Sequence, residues 1–420
     1  MQTRGDAGAG PVGHRVSLTA YAAARLLDAA GLTILALDMA EITNLAGGDN
    51  GALLTGMVLA CCPLVSALVV LIVPRVASRW GVRRTLALAV TAAVSSNALA
   101  VVGLFLGLPA LPIVIVLAVT LGVWEAFFYS LGPIVARSYF GIEMAQAYSR
   151  TRILVVLGFA LAGFSAGWVI HAESPGYGIA AAVVLTTPLA IVLWCAKPAQ
   201  EPTREDGIGM SPSAQLALVR TNERLRNALI VAVAAALFIY PMATLIIPIT
   251  NSLHEVSVIT GAGALLASQA LGSLAAPGLI RRWTTPPKGS NLQAAIKGTF
   301  MVGGALILFA LANLALSSTV ELAVWGIVGL VFGAGLGVAS SAGVGAVTDS
   351  VSAGQAVEAV GSRGFVVLIA LPVGLVAWGG LLSFTSIEVA LAVAAAGLMA
   401  IAVALLRRSV PSHVEDGSLV

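Results

Sequence analysis

Three charged side chains lie well away from the ends of long apolar stretches of the sequence, and they are the residues most able to do chemistry. Arg25 and Asp28 are three residues apart in the first apolar stretch, and Glu125 lies in the fourth. In a helix this spacing places Arg25 and Asp28 on one face. Burial disfavours a charged carboxylate, whereas a nearby cation favours it, so such a site can bind and release a proton. We therefore predict that Asp28 and Glu125 carry a proton, with Arg25 as the switch.

Both acids are expected near the middle of a membrane. At a helical rise of 1.5 Å per residue, Asp28 lies about 18 Å along the first stretch from Val16, and Glu125 lies about 20 Å along the fourth from Pro112. Ionisable residues at such depth are rare and usually functional. The structural alternative is that Arg25 and Asp28 form a self-neutralised pair that only orients its helix.

Polar residues replace buried charges in the second half of the chain. Tyr240, Thr244, Gln269 and Asn313 are candidate substrate contacts, together with Tyr129 in the fourth apolar stretch. Hydrogen bonds between helices are the alternative explanation for polar residues in this setting. Because the second half is nearly neutral inside its apolar stretches, a polyanionic substrate is not expected.

The remaining reactive side chains form no recognisable catalytic or metal-binding motif. Cys61, Cys62 and Cys195 all lie inside apolar stretches, and no metal-ligand spacing is visible. His254 and Glu255 lack the second histidine that a zinc-protease helix needs, and the chain has no phosphate-binding loop of the G-x-x-x-x-G-K-[ST] type. We therefore expect no metal, no cofactor and no enzymatic activity.

The composition places the chain in a membrane. Hydrophobic residues make up 59% and charged residues only 10%, whereas a typical soluble domain has about 25% charged residues. The mean hydropathy is +0.98. These values exclude the soluble, disordered and nucleic-acid-binding classes, and they predict an all-α integral membrane protein whose immediate partner is the lipid bilayer.

Twelve apolar stretches reach the length of about 20 residues that a membrane-spanning helix needs. They lie at about 16–38, 51–74, 85–106, 111–135, 153–171, 178–196, 227–249, 257–280, 298–317, 322–347, 364–384 and 386–406. The longest polar insert, about 197–226, separates the sixth stretch from the seventh. The sequence therefore predicts twelve transmembrane helices, six on each side of this insert.

The basic residues predict the orientation. If the N-terminus is cytoplasmic and the chain crosses twelve times, the cytoplasmic segments hold 21 of the 22 basic residues, and Arg25 lies within the first helix. Lys and Arg are enriched in cytoplasmic loops of membrane proteins. We expect a multi-pass protein of the plasma membrane with both termini in the cytoplasm.

The two halves of the chain share weak internal matches. Segment 74–80 recurs as 277–283, with Pro, Arg and Trp shared at an offset of 203 residues. The start of the fifth apolar stretch at Arg152 recurs at Arg363, with an offset of 211. Both matches lie at predicted cytoplasmic helix ends, six helices apart, and together they favour homologous halves.

We therefore predict two homologous six-helix bundles. They comprise residues 1–198 and 225–420, and residues 199–224 form a cytoplasmic linker between them. Parallel halves of this kind are one known plan of secondary transporters, with the substrate site near the middle of the membrane between the halves.

The loop after the second apolar stretch carries a family signature. It reads PRVASRWGVRR over 74–84 and resembles the loop G-x-x-x-D-R-x-G-[RK]-[RK] of the major facilitator superfamily. The matching residues are Arg79, Gly81, Arg83 and Arg84, the last two shifted by one place. Ser78 replaces the acid. The resemblance implies a gating role for the four matching residues, and ordinary positive-inside anchoring is the alternative.

The resemblance covers essentially the whole chain and implies a secondary transporter. Arg25-x-x-Asp28 followed by Gly31, and Leu225-Arg226 before the seventh stretch, look most like the drug- and siderophore-efflux branch. That branch implies proton-coupled efflux of a small amphipathic molecule by a monomer. The alternatives are an uptake carrier or uniporter of a small metabolite, and a receptor or anchor of the same fold that no longer transports.

Overall fold

A computed structural model describes most of the chain. The described residues are 11–141, 144–169, 176–198, 217, 219–251, 258–284, 290–315, 318–352 and 355–409. Every regular element within these ranges is helical. The all-α fold that the composition predicts is therefore confirmed.

The helices form twelve passes, called span one to span twelve. In chain order they are Pro11–Gly47, Gly51–Val69, Val82–Phe105, Ala110–Phe140, Met144–Val169, Tyr177–Cys195, the four consecutive pieces Glu223–Ala234, Ala235–Ile239, Tyr240–Thr244 and Ile246–Asn251, then Val258–Ser273, Asn291–Ala315, Ser318–Asp349, Ala356–Phe384 and Ile387–Ser409. Among the described residues, ten helical runs are long and apolar enough to cross a membrane. One of them, Ser17–Val69, is 53 residues long and contains spans one and two, and span five has a shorter apolar part at Ile153–Ser165. These runs together account for twelve passes.

Span one is longer than its apolar pattern predicts. The pattern ends near residue 38, whereas the helix continues to Gly47. The additional residues are packed inside the molecule: Met39 and Ala40 are fully buried, and the hydroxyl of Thr43 is hydrogen-bonded to the hydroxyl of Thr55 in span two at 3.0 Å. Tertiary contacts thus extend the helix beyond the apolar stretch.

The predicted repeat coincides with a repeated structural element. Spans two and eight are each followed by a short turn and then a short helix, Val73–Trp80 after span two and Ala276–Thr284 after span eight. Pro lies in the first two positions of each short helix, where its missing N–H costs nothing. The same Pro, Arg and Trp therefore occupy the same structural positions in both halves.

The two ends of the molecule differ in charge. We call the end that carries the short helix Val73–Trp80 the basic end, and the end that carries Gly48–Asn50 the acidic end. Exposed basic side chains at the basic end are Arg75, Arg79, Arg84, Arg137, Arg150, Lys197, Arg220, Arg224, Arg226, Arg281, Arg282, Lys297, Arg407 and Arg408. Asp49 and Glu388 lie at the acidic end.

The hydrophobic clusters also differ between the acidic end and the basic end. In the acidic half, one cluster joins residues of spans one to six with residues of spans seven to twelve, for example Met39 with Ile246 and Trp378. In the basic half, the described residues form separate clusters, one within spans one to six and two within spans seven to twelve. We infer from these clusters that the two halves of the chain meet at the acidic end and part towards the basic end, which leaves a cleft between them.

Spans two and eleven form one contact between the bundles. A Cβ atom on Gly56 would lie 2.5 Å from the carbonyl oxygen of Leu375, and Gly379 approaches span two equally closely. The backbone N–H of Leu53 donates to Oγ of Ser383 at 3.0 Å. Small residues allow this close approach of two helix backbones.

Spans five and eight form the second contact. A Cβ atom on Gly163 would lie 2.6 Å from the carbonyl oxygen of Gly263 and 2.8 Å from the backbone nitrogen of Ala267. Gly374 follows Gly163 by the same 211 residues that separate Arg363 from Arg152 in the sequence repeat, and it packs instead on span seven. The matched glycines thus serve close packing in both halves, against different partners.

The glycines of span ten pack within the second bundle. Gly329, Gly333 and Gly337 all face span eight, where Ser268 and the backbone of Gln269 fill the space that a Cβ atom would need. This stripe therefore holds spans eight and ten together rather than forming the contact between the bundles.

Most of the predicted linker at 199–224 lies outside the described residues. The described chain enters span seven at Asn222, whose side-chain oxygen accepts from the backbone N–H of Leu225 at 3.0 Å and caps the helix. Its side-chain nitrogen donates to the carbonyl oxygen of Ser350 at 2.5 Å. The start of span seven is thereby fixed to the end of span ten.

Candidate functional site

Arg25 and Asp28 form a buried ion pair in span one. Nη1 of Arg25 donates to Oδ2 of Asp28. Asp28 is fully buried and Arg25 is 5% exposed. The guanidinium carbon of Arg25 lies 3.9 Å from the ring centroid of Phe128 in span four, and Phe128 in turn stacks on Trp124. The pair is therefore sealed inside the first bundle, with an aromatic face against its cation.

The pair leaves several buried polar atoms unsatisfied. Oδ1 of Asp28, Nε of Arg25 and Oγ1 of Thr186 in span six have no hydrogen-bond partner among the described residues. Next to the pair, Tyr21 stacks on Tyr139 of span four with ring centroids 4.5 Å apart. A buried ion pair loses solvation on both charges, and it stabilises a fold only when its other polar atoms are well bonded. This pair therefore contributes little to the stability of the first bundle.

Glu125 lies apart from this pair, against span two. Oγ of Ser66 is 3.4 Å from Oε2 of Glu125 and donates to the carbonyl oxygen of Gly122 at 2.7 Å. Glu125 is partly exposed. The structure thus brings Arg25 to Asp28 and places Glu125 on a different helix interface.

Four of the five candidate substrate contacts, all but Gln269, are exposed or half-buried. Tyr129 in span four is 62% exposed. Tyr240 and Thr244 in span seven are half-buried; the hydroxyl of Tyr240 lies 3.1 Å from Oγ of Ser340, and the hydroxyl of Thr244 donates to the carbonyl oxygen of Tyr240. Both follow the π-helical turn Ala235–Ile239, a local irregularity that is frequent at functional sites.

The other two candidates are Gln269, which is buried, and Asn313, which is half-buried. Gln269 is 4% exposed and packs on Gly333 of span ten. Asn313 lies at the acidic end, where its side-chain nitrogen donates to Oε1 of Glu388 between spans nine and twelve. The hydrogen bond of Asn313 fits the interhelical alternative, whereas the side-chain nitrogen of Gln269 has no hydrogen-bond partner among the described residues, and both stay candidate substrate contacts.

Arg83 of the signature loop holds the end of span six. Its guanidinium donates to the carbonyl oxygens of Leu193 and Ala196, both at 3.2 Å. The hydroxyl of Tyr139 also donates to Ala196, at 2.8 Å. The last carbonyls of a helix lack partners within the helix, and a cation there is favoured by the helix dipole. Arg83 therefore joins spans three and six inside the first bundle.

The other matching residues of the signature loop make no comparable contact with span six. Arg79 and Arg84 are exposed. Gly81 has φ +84°, a conformation that favours glycine, and it makes the turn between Val73–Trp80 and span three. Ser78, at the position of the family's acid, donates to the carbonyl oxygen of Arg75 within its own helix.

Asp38 is a buried carboxylate with a structural role that the sequence did not reveal. It is 3% exposed, and its Oδ2 accepts from the backbone N–H of Ile179 at 2.9 Å, in the first turn of span six. A Cβ atom on Gly178 would lie 2.6 Å from the Asp38 side chain. Asp38 thus caps span six from span one, and the glycine makes room for it. The sequence signal is an acid near the end of one apolar stretch with a glycine at the start of another.

The comparisons with known proteins agree on one fold. A family model described as the Major Facilitator Superfamily matches residues 18–340. The nucleoside transporter NupG, in a mutant form, is 12% identical with a TM-score of 0.74, over 94% of this chain and 100% of that chain. A bacterial homologue of the human lysosomal transporter Spinster, inward-facing and unoccupied, is 18% identical with a TM-score of 0.66, over 95% and 96%. The E. coli fucose:proton symporter FucP is 10% identical with a TM-score of 0.63, over 94% and 99%. No curated protein matches the chain in sequence.

Proposed function

This chain belongs to the Major Facilitator Superfamily, and we propose on that premise that it exports a small amphipathic molecule in exchange for protons. Membership makes the chain a multi-pass membrane transporter and not an enzyme. The proposal adds three things to family membership: the driving force, the direction of transport and the class of substrate. The proposed substrate class is a drug, siderophore or natural product.

The sealed pair of Arg25 and Asp28 is the observation that carries the proposed proton coupling. A buried ion pair can often be replaced by apolar residues without loss of stability, so its presence needs another reason. A proton on Asp28 would neutralise the carboxylate and release Arg25 from the pair. Alternating access supplies the change of environment that such a switch requires, because the same group meets water in one state and is sealed in another.

The cleft supports the transport cycle. The bundles share a core at the acidic end and have separate cores at the basic end, as expected of one end state of a rocking transporter. If the basic end is cytoplasmic, as the positive-inside rule predicts, this state opens to the cytoplasm. The accessible hydroxyls of Tyr129, Tyr240 and Thr244 in an otherwise apolar setting suit an amphipathic substrate.

Flux in proteoliposomes tests the proton coupling. We expect a pH gradient to drive transport of a fluorescent amphipathic dye by the wild-type protein, and Asp28→Asn to abolish this flux while the protein stays folded and inserted. Asp49→Asn is the matched control, because Asp49 is exposed at the acidic end. Glu125→Gln tests the second acid in the same assay. Wild-type flux in both Asp28→Asn and Glu125→Gln would reject the proton role.

Uptake is the second candidate, because FucP is a proton symporter of similar fold. Cells with and without the protein distinguish the two directions with the same dye. Export predicts lower dye accumulation and higher tolerance of toxic amphipathic compounds, whereas uptake predicts the reverse. A receptor or anchor predicts no difference in either measurement and no flux in proteoliposomes.

A further inference from the structure

Gly31 brings span six close to span one, next to the ion pair. It lies three residues after Asp28, on the same helix face. A Cβ atom on Gly31 would lie 3.0 Å from Cβ of Leu185 and 3.1 Å from Oγ1 of Thr186. The Thr186 hydroxyl therefore lies on the face of span one that carries Asp28, and beside the Asp28 carboxyl.

Thr186 differs from Thr187 in the hydrogen bonding of its hydroxyl. The hydroxyl of Thr187 donates to the carbonyl oxygen of Val183 at 2.6 Å, the usual arrangement of a threonine within a helix. Oγ1 of Thr186 is buried and has no hydrogen-bond partner among the described residues. It therefore remains available to a group on span one.

Asp28 also has an oxygen atom without a hydrogen-bond partner among the described residues. Its Oδ2 is bonded to Arg25, while Oδ1 is buried and has no partner in the described part of the chain. Buried polar atoms are nearly always hydrogen-bonded, because an unpaired one loses its hydration without compensation. The Thr186 hydroxyl can donate and accept and Oδ1 of Asp28 can accept, so a small rotation of either side chain would let the two unpaired atoms bond to each other.

We propose that Thr186 is a positioning residue for the Asp28 carboxyl and bonds to it in both protonation states. Its hydroxyl donates to Oδ1 when the carboxylate is charged, and accepts from the carboxyl O–H when Oδ1 holds the proton. Because the Thr186 hydroxyl can rotate, the Asp28 carboxyl keeps a hydrogen-bond partner both before and after it binds a proton. This inference rests on the proposed proton role of Asp28.

The surroundings of Asp28 contain few other groups that titrate or carry charge. On span one they are Arg25 and Tyr21, and from span four Tyr139 stacks on Tyr21. Span five approaches span one through Gly158, at the carbonyl oxygen of Leu26. From span six, Thr186 is the polar group that faces the carboxyl. A change at Thr186 should therefore be visible in the titration of Asp28.

Infrared difference spectroscopy of the purified protein, with protons as the only ligand, tests this inference. The C=O stretching band that appears on acidification and is missing in Asp28→Asn belongs to Asp28. We expect Thr186→Val to shift this band and to move its titration midpoint to higher pH by about one unit, a tenfold change in proton affinity. The reason is that a hydrogen bond to a charged acceptor is stronger than one to a neutral group. Thr186→Ser should behave like the wild type, and Thr187→Val is the matched control.

The outcomes separate this inference from the proposed function. If the Asp28 band is present and Thr186→Val titrates like the wild type, Thr186 has no positioning role while Asp28 keeps its proton. If Asp28→Asn removes no band, the proton role of Asp28 fails and the inference fails with it. Thr186→Ala gives the same readout should Thr186→Val not fold.

Discussion

At the scale of single residues, three buried or half-buried acids of the first bundle have three different partners. Asp28 pairs with Arg25, Asp38 accepts from the backbone at the start of span six, and Glu125 lies beside Ser66 of span two. Of these three acids, Asp28 is the one whose described partner is a cation. The same carboxylate group therefore serves as a candidate proton carrier in one place and as a helix cap in another.

The cap at Asp38 leads to a prediction on stability. We expect Asp38→Ala to lower the free energy of unfolding by about 1–2 kcal/mol, the usual value of a lost helix N-cap. Asp38→Asn should lower the free energy of unfolding by less, since an amide oxygen still accepts a hydrogen bond. Thermal unfolding of the purified protein in detergent measures both. Asp49→Ala, at an exposed site, serves as the control, and an equal loss in that variant would contradict the role of Asp38.

The sequence predicted the Arg25–Asp28 pair because both residues belong to one helix, and helical spacing fixes which side chains share a face. It did not predict the position of Glu125, Thr186 or Asn313 relative to other spans. Those positions depend on the rotation of each helix about its axis, which is set by packing between helices distant in sequence. The sequence of a membrane helix says little about this rotation, because a helix that is apolar on all faces has no polar side to mark its orientation.

At the scale of elements, the signature loop combines a structural arginine with exposed ones. Arg83 is half-buried and bonded to the end of span six, whereas Arg79 lies in the solvent-exposed part of the loop. Ser78 bonds within its own short helix. The loop's match to the family thus corresponds to two physical roles, and the spacing of the arginines alone does not distinguish them.

This difference between the two arginines is testable. We expect Arg83→Gln to lower the free energy of unfolding by about 1–3 kcal/mol, as expected when a charged donor to buried acceptors is lost. Arg79→Gln should leave it unchanged, because an exposed side chain makes no comparable contact. Thermal unfolding compares the two matched variants. Equal stability of both would show that the contacts of Arg83 with span six carry no free energy.

The short helices after spans two and eight show what a repeat in sequence can establish. The shared Pro, Arg and Trp predicted homologous halves, and both copies form a helix after a turn. The pairing of Gly163 with Gly374 predicted nothing about their neighbours, since one packs between the bundles and the other within a bundle. A repeat thus predicts local structure, whereas its tertiary contacts diverge.

At the scale of the whole molecule, glycines hold the acidic end closed. We expect Gly56→Leu to push span two away from span eleven, because a side chain there would overlap the backbone at Leu375. The equilibrium should then shift towards a state open at the acidic end. Ile247, which is fully buried in the shared core, is the site for a reporter cysteine, Ile247→Cys.

Thiol labelling measures this shift in a background without Cys61, Cys62 and Cys195. Labelling of Ile247→Cys should rise several-fold when Gly56→Leu is added. Gly304→Leu is the matched control, because a Cβ atom on Gly304 meets nothing within 4 Å. Unchanged labelling with Gly56→Leu, or an equal rise with Gly304→Leu, would contradict the closed contact between spans two and eleven.

The orientation of the molecule decides which side of the membrane the cleft faces. Basic side chains cluster at the basic end, and Lys and Arg favour the cytoplasmic side. We expect a membrane-impermeant thiol reagent to label Asn50→Cys and Ser386→Cys in intact cells, and to label Ser352→Cys only after permeabilisation. All three sites are exposed, the first two at the acidic end and the third at the basic end. Labelling of Ser352→Cys alone in intact cells would reverse the orientation, and the cleft would then open to the outside. The proposed antiport cycle would in that case have this structure as its outward-open state.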